Sequence, residues 1–166
     1  MDKFLLDTNV IIDAFSAKIL ECLNYSSFYV SQVVFKEEIA KQIPTISNYN
    51  LNLLNESYKE LISAQKYADS NKKISFYDAL CFVLAKERKM ILVTGDQNLI
   101  NFAKQENIQC IGTLKLIEIL VENNLLNIEE SIQSLINLKL DSNRRIPHKL
   151  IDQLIQKIQS MKEFVK

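Results

Sequence analysis

Twice in this sequence an uninterrupted apolar run stops at a turn that carries an aspartate. Phe4-Leu5-Leu6 ends at Asp7, and Met90-Ile91-Leu92-Val93-Thr94 ends at Gly95-Asp96. Continuous apolar runs this short suit strands buried on both faces, which is the condition of strands in a parallel sheet. Each is followed by a stretch with helical spacing, and this alternation implies βαβ units with right-handed crossovers. In an open parallel sheet, ligands gather outside the carboxyl ends of the strands. Asp7 and Asp96 both fall there, so the chain is expected to fold as an α/β protein with an acidic edge.

The remaining pattern fills in the architecture. Ser26 to Ser31 reads as a second strand and Gln109 to Gly112 as a last one. Ser31 suits the N-cap of a helix that Pro44 ends. Leu51 to Tyr67 has helical spacing, and Ser75 opens a helix to about Arg88 that is apolar nearly all round and therefore buried. Helices are expected at 114–124, 128–140 and from Pro147 to about Phe164. The reading is a three-layer α/β sandwich with a short, mainly parallel sheet: one domain, with a core at 1–112 and a helical extension at 113–166. Two glycines and two prolines in 166 residues argue against a turn-rich all-β fold.

Charge narrows the function. Twenty basic residues balance twenty acidic ones, so no whole-molecule attraction to nucleic acid exists, and any such binding needs a local patch, a metal or a partner. Cys22, Cys81 and Cys110 are far apart among apolar neighbours, as expected for reduced core thiols rather than zinc ligands. The N-terminus has no signal-peptide pattern, and the longest apolar run, Ala79 to Ala85, is too short to span a membrane. A soluble cytoplasmic protein is expected.

Two more acids can join the aspartates. Asp78 lies in the first turn of the buried helix, and Glu37 in the helix after the second strand. Carboxylates crowded into one pocket repel each other, and a hard divalent cation such as Mg²⁺ or Mn²⁺ relieves the conflict. Such a cation activates water and offsets charge on a phosphodiester. Each acid also has a plainer reading: Asp7 and Asp96 as helix caps, Asp78 as half of a capping box with Ser75, Glu37 as a solvated helix acid. Glu38 has neighbours similar to those of Glu37 and is the alternative to it.

In order, LLDTNVIID, VSQVVFKEE, SFYDALCFVLAKE and ILVTGDQNL resemble the motifs of PIN-domain nucleases, the superfamily of VapC-like toxins. The resemblance covers about Met1 to Gly112. It implies that Asp7, Asp78 and Asp96 hold Mg²⁺ or Mn²⁺, that Glu37 orients the water or holds a second ion, and that Asn9 and Thr94 are accessory. The glutamate's usual place six residues after the helix-opening serine favours Glu37. The implied activity is endoribonuclease cleavage of RNA leaving a 3′-hydroxyl, with an antitoxin partner and a possible homodimer. The tail, CIGTLKLIEILVENNLL and then RRIPHKLIDQLIQKI, resembles a little-characterised prokaryotic PIN-like family often found in toxin–antitoxin pairs. Members of that family often lack the aspartate that is present here as Asp78.

Rival readings are a HAD-type phosphatase with Asp7 as nucleophile, opposed by Asn9 where a second acid is needed, and a non-catalytic interaction module. Arg144, Arg145, His148 and Lys149 form one compact basic cluster, suited to RNA phosphates, to an acidic partner, or to a solvated loop before a helix. The segment 45–73 has no assigned role.

Overall fold

The computed structural model describes residues 2–163. Five strands form one sheet with every neighbouring pair parallel: β1 (Phe4–Leu6), β2 (Phe28–Ser31), β3 (Leu53–Leu54), β4 (Ile91–Val93) and β5 (Cys110–Ile111), in the order β3-β2-β1-β4-β5. The helices are α1 (Thr8–Ser16), α2 (32–42), α3 (Tyr58–Ser70), α4 (Phe76–Glu87), α5 (Gln97–Gln105), α6 (Thr113–Glu122), α7 (Ile128–Leu140) and α8 (His148–Glu163). The α/β sandwich expected from the apolar runs is therefore present. Phe164, where the last helix is expected to end, lies outside the described residues.

The strand order fixes where a ligand can sit. From β1 the chain moves to β2 and β3 on one side, then returns to β4 and β5 on the other. Right-handed crossovers in opposite directions put α1 and α2 on one face of the sheet and α3, α4 and α5 on the other. The packing agrees: α4 contacts α3 and α5, while α1 contacts α2, α6 and α7. The topological switch point lies between β1 and β4, the two strands whose ends carry Asp7 and Thr94. Their register is direct, with Leu6 opposite Val93.

The core is continuous from the sheet into the tail. Ala79 to Ala85 of α4 are all buried, as their unbroken apolarity requires. Leu116, Ile117, Leu135, Leu138, Ile151 and Ile158 of the last three helices join the same cluster. α8 packs through Ile151, Leu154 and Ile158, all buried. Among the described residues no helix is long and apolar enough to cross a membrane.

One expectation fails in the 45–73 segment. Leu51 to Tyr67 is not one helix: Leu53–Leu54 is the edge strand β3, with Val30 opposite Leu53 and Ser31 opposite Leu54, and α3 begins only at Tyr58. Two residues are too few to show a period of two, and Leu54 happened to match the helical stripe that follows. Asn52 secures the strand from its side-chain amide, which donates to the carbonyls of Tyr25 at 2.7 Å and Phe28 at 3.0 Å. Glu56, just past the strand, accepts from Ser31 Oγ and from the Val33 amide, so the segment also fixes the start of α2.

Helix ends are closed without glycine. Lys18, Lys89, Asn107 and Asn124 all have positive φ, each just past a helix end. After each, the next amide reaches back five residues: Ile19 to Ala14, Met90 to Ala85, Ile108 to Ala103 and Leu125 to Leu120, at 2.8–3.0 Å. These are Schellman closures, and the apolar residue that follows each left-handed position is the usual hydrophobic seal. A lysine in the left-handed region is strained in a way that glycine is not. Lys89→Gly is expected to raise stability by about 0.5–1 kcal/mol, read as a higher midpoint in urea with an unchanged m-value.

Candidate active site

The parallel pairing of β1 with β4 places the residues just beyond them side by side. The Asp7 amide donates to the Val93 carbonyl at 3.0 Å, continuing the ladder by one bond. Asp7 is also the N-cap of α1, its Oδ1 accepting from the Thr8 amide at 2.7 Å. Its Oδ2 accepts from Thr94 Oγ1 at 2.8 Å. Thr94 Oγ1 in turn accepts from the Asp96 amide at 3.1 Å, so one buried hydroxyl links the ends of both strands.

Asp7 is only 3% exposed. Its carboxyl is pushed up to about 7, chiefly by burial; the nearby charges of Asp78 and Glu38 add to the rise, and the hydrogen bonds from Thr94 and Thr8 oppose it. Cys81 lies fully buried in the same region. Its thiol is raised by burial first and then by Asp7, Asp78, Glu38 and Glu56, so these four carboxylates act on one position.

The two glutamates of α2 are placed differently. Glu37 points outward and pairs with Lys41 at 2.9 Å, which lowers its carboxyl. Glu38 turns inward, and its Oε2 accepts from Thr8 Oγ1 at 2.6 Å. The cause lies in the helix: Phe35–Ile39 is a π-helical turn inside α2. A π turn holds an extra residue, so counting from Ser31 at α-helical pitch falls one position short.

The aspartates meet the capping reading as well. Asp78 Oδ2 accepts from the Ser75 amide at 2.7 Å while Ser75 Oγ accepts from the Asp78 amide, a complete capping box. Asp96 Oδ1 accepts from the Leu99 amide at 2.8 Å at the start of α5. Capping leaves the other oxygen of Asp78 and of Asp96 without a protein donor among the described residues, and it holds each carboxylate in a fixed orientation. Asn9 is exposed and borders a cleft of about 420 Å³ together with Gly95, Asp96 and Gln97. The tail loop Asn143 to Ile146 lines the same cleft, which puts Arg144 and Arg145 of the basic cluster beside the acidic edge.

A family model, DUF3368, described as a PIN domain, matches residues 3–160. The chain belongs to this PIN-domain family. Among solved structures, PAE2754 from Pyrobaculum aerophilum is similar over 73% of this chain and 96% of its own, with a TM-score of 0.56 and 16% identity, a likeness of fold. No curated protein matches the sequence.

PIN domains are generally nucleases of nucleic acids and typically use divalent metals. Among the described residues no three His, Cys, Asp or Glu side chains form a ready-made metal cage. Mg²⁺ seldom needs one, because it keeps several waters and is held through one or two carboxylates and substrate phosphates. The donor chemistry fits: all-oxygen, without His or Cys thiolate, around a carboxylate that burial first, and like charges after it, make hard to ionise.

Two positions escaped the sequence reading. Glu56 lies two residues past Leu53-Leu54, with Asn55 between, and the strand before it has helical spacing in the sequence. Asp13 is buried in α1, accepts from Thr113 Oγ1 at 2.5 Å and pairs with Arg144 at 3.3 Å. Its only sequence signal is the polar series Asn9, Asp13, Ser16, which shares one face of α1.

The raised Asp7 value sets a pH dependence for the metal-free PIN domain. Below about pH 4 the carboxyl is protonated in both folded and unfolded chains. Between there and pH 7 only the folded chain keeps the proton, so stability falls as pH rises through that window. Asp7→Asn is expected to raise stability at pH 8 by on the order of 2 kcal/mol, with little change at pH 4. Thermal unfolding in EDTA at both pH values checks this; equal effects at the two would contradict it.

Proposed function

We propose that the protein is a metal-dependent endoribonuclease and the toxin of a toxin–antitoxin pair. The observation that carries the reading is Asp7: a buried carboxylate at the topological switch point, gripped by Thr94 and facing the charges of Asp78 and Glu38. A binding module gains nothing from holding such a group where it resists ionisation, whereas a site for a hard cation and a phosphodiester does.

In this reading Asp7 and Asp96 hold Mg²⁺ or Mn²⁺, and Asp78 completes the set. The ion, when bound, supplies a more acidic water and offsets charge on the phosphate. Thr94 orients Asp7 by donating to Oδ2, which leaves the Asp7 lone pairs aimed by a fixed bond. Glu38 takes the part first assigned to Glu37, aligning the attacking water, and is itself aligned by Thr8. Asp7 must lose its proton to act as a ligand, so metal binding releases protons and weakens below about pH 7. The toxin role rests on family membership, since PIN nucleases often pair with antitoxins, and the acidic cleft is the surface an inhibitor would block.

Cleavage of single-stranded RNA is expected with Mn²⁺ or Mg²⁺ and not with EDTA. Asp7→Asn and Glu38→Gln are each expected to lower the rate at least about 100-fold, while Glu37→Gln leaves it within about twofold. Equal cleavage by wild type and Asp7→Asn would sink the mechanism. Equal loss in Glu37→Gln and Glu38→Gln would sink the assignment of Glu38. Expression of wild type, and not of Asp7→Asn, is expected to arrest bacterial growth; harmless wild type with active nuclease in vitro would remove the toxin role.

A further inference from the structure

The helical tail returns to the acidic edge. Its loop between α7 and α8 lines a cleft together with Asn9, Gly95, Asp96 and Gln97. Two bonds to α1 hold it there. Ser16 Oγ donates to Asp141 Oδ2 at 2.7 Å, and Arg144 Nη1 donates to Asp13 Oδ1 at 3.3 Å. Within the loop, the Asn143 amide donates to Asp141 Oδ1 at 2.9 Å. The far oxygen of Asp13 is held by Thr113 from α6, so the anchor is itself fixed from a second helix.

The two adjacent arginines are treated differently. Arg144 is largely buried and committed to Asp13, with Asp141 at 3.9 Å from its Nε. Arg145 is exposed, lines the cleft, and has no hydrogen bond or ion pair among the described residues. An arginine on a pinned loop keeps its position without spending its guanidinium, whose planar fork matches a phosphate. Asn9, Gln97 and Asn143 add neutral amide donors to the same walls. In a chain of zero net charge, affinity for a polyanion must come from such a local device.

We propose that this cleft binds the substrate strand: Arg145 binds a backbone phosphate of single-stranded RNA next to the one that is cut, and Arg144 is the positioning residue that holds the loop. The proposal rests on the nuclease reading for the word substrate, and its test does not depend on catalysis. The occupant is RNA rather than an acidic peptide, because the cleft opens onto Asp96, at the edge where the reacting phosphate is placed.

Binding of a fluorescein-labelled single-stranded RNA is measured by anisotropy in EDTA over a range of salt, with the full chain. Arg145→Ala is expected to weaken binding about fivefold at low salt and to reduce the salt slope by about 0.7, the value for one phosphate contact on a single strand. Arg145→Lys is expected to restore the slope and part of the affinity. With Mn²⁺, Arg145→Ala is expected to raise KM with little change in kcat. Lys149→Ala removes the same charge outside the cleft and is the control. Unchanged affinity and slope in Arg145→Ala, an equal loss in Lys149→Ala, no RNA binding by wild type, or displacement of the RNA by a poly-glutamate peptide at matched charge would each overturn the proposal. Arg145-dependent binding without any cleavage by wild type would uphold the cleft and overturn the nuclease reading alone.

Discussion

The pairing of β1 with β4 is the constraint on which the rest depends. It is a short contact, three residues in register, but it closes the switch point of the sheet and brings Asp7 within reach of Thr94. The state of Asp7 is then set chiefly by its burial. A carboxylate taken out of water beside others of its sign holds its proton to about pH 7, and the ordinary remedy, a lysine or arginine against it, is not the one used here. Two basic side chains near this edge are engaged elsewhere, Lys41 with Glu37 and Arg144 with Asp13. The fold thus keeps a site in which positive charge is wanted from outside.

How much of this was legible depended on length and pitch. β1, β4 and α4 could be read because an unbroken apolar run has to be buried on every side, wherever the chain takes it. The caps at Ser31, Ser75 and Asp96 could be read because their chemistry is local. β3 could not, since two residues carry no period and their pairing with β2 is a long-range event. Which of Glu37 and Glu38 turns inward was hidden for a different reason. It required the pitch of α2, and no local preference in FKEEI announces a π turn.

The tail loop was legible only as composition. Four basic residues near a proline suggest a solvated loop, and nothing in their order says that the loop folds back over the sheet edge. That information sits a hundred and more residues away, in Asn9, Asp13 and Ser16, which look ordinary until their spacing is laid on a helix. Long-range complementarity of this kind, an acid in the first helix answered by an arginine before the last, is what a single sequence conceals.

The α1 helix has a consequence for how such proteins can change over generations. One end of it is the cap Asp7, and its polar face, about 13 Å long at 1.5 Å per residue, holds the tail through Asp13 and Ser16. Asp13 is buried and its carboxyl is raised by that burial, so a chain that lost the tail would keep an acid with no guanidinium to meet it. The extension is therefore not an ornament that can be trimmed or exchanged freely. Tail and acidic edge have to be inherited together, and a recombined PIN core carrying this α1 would carry a requirement for an arginine at the same place.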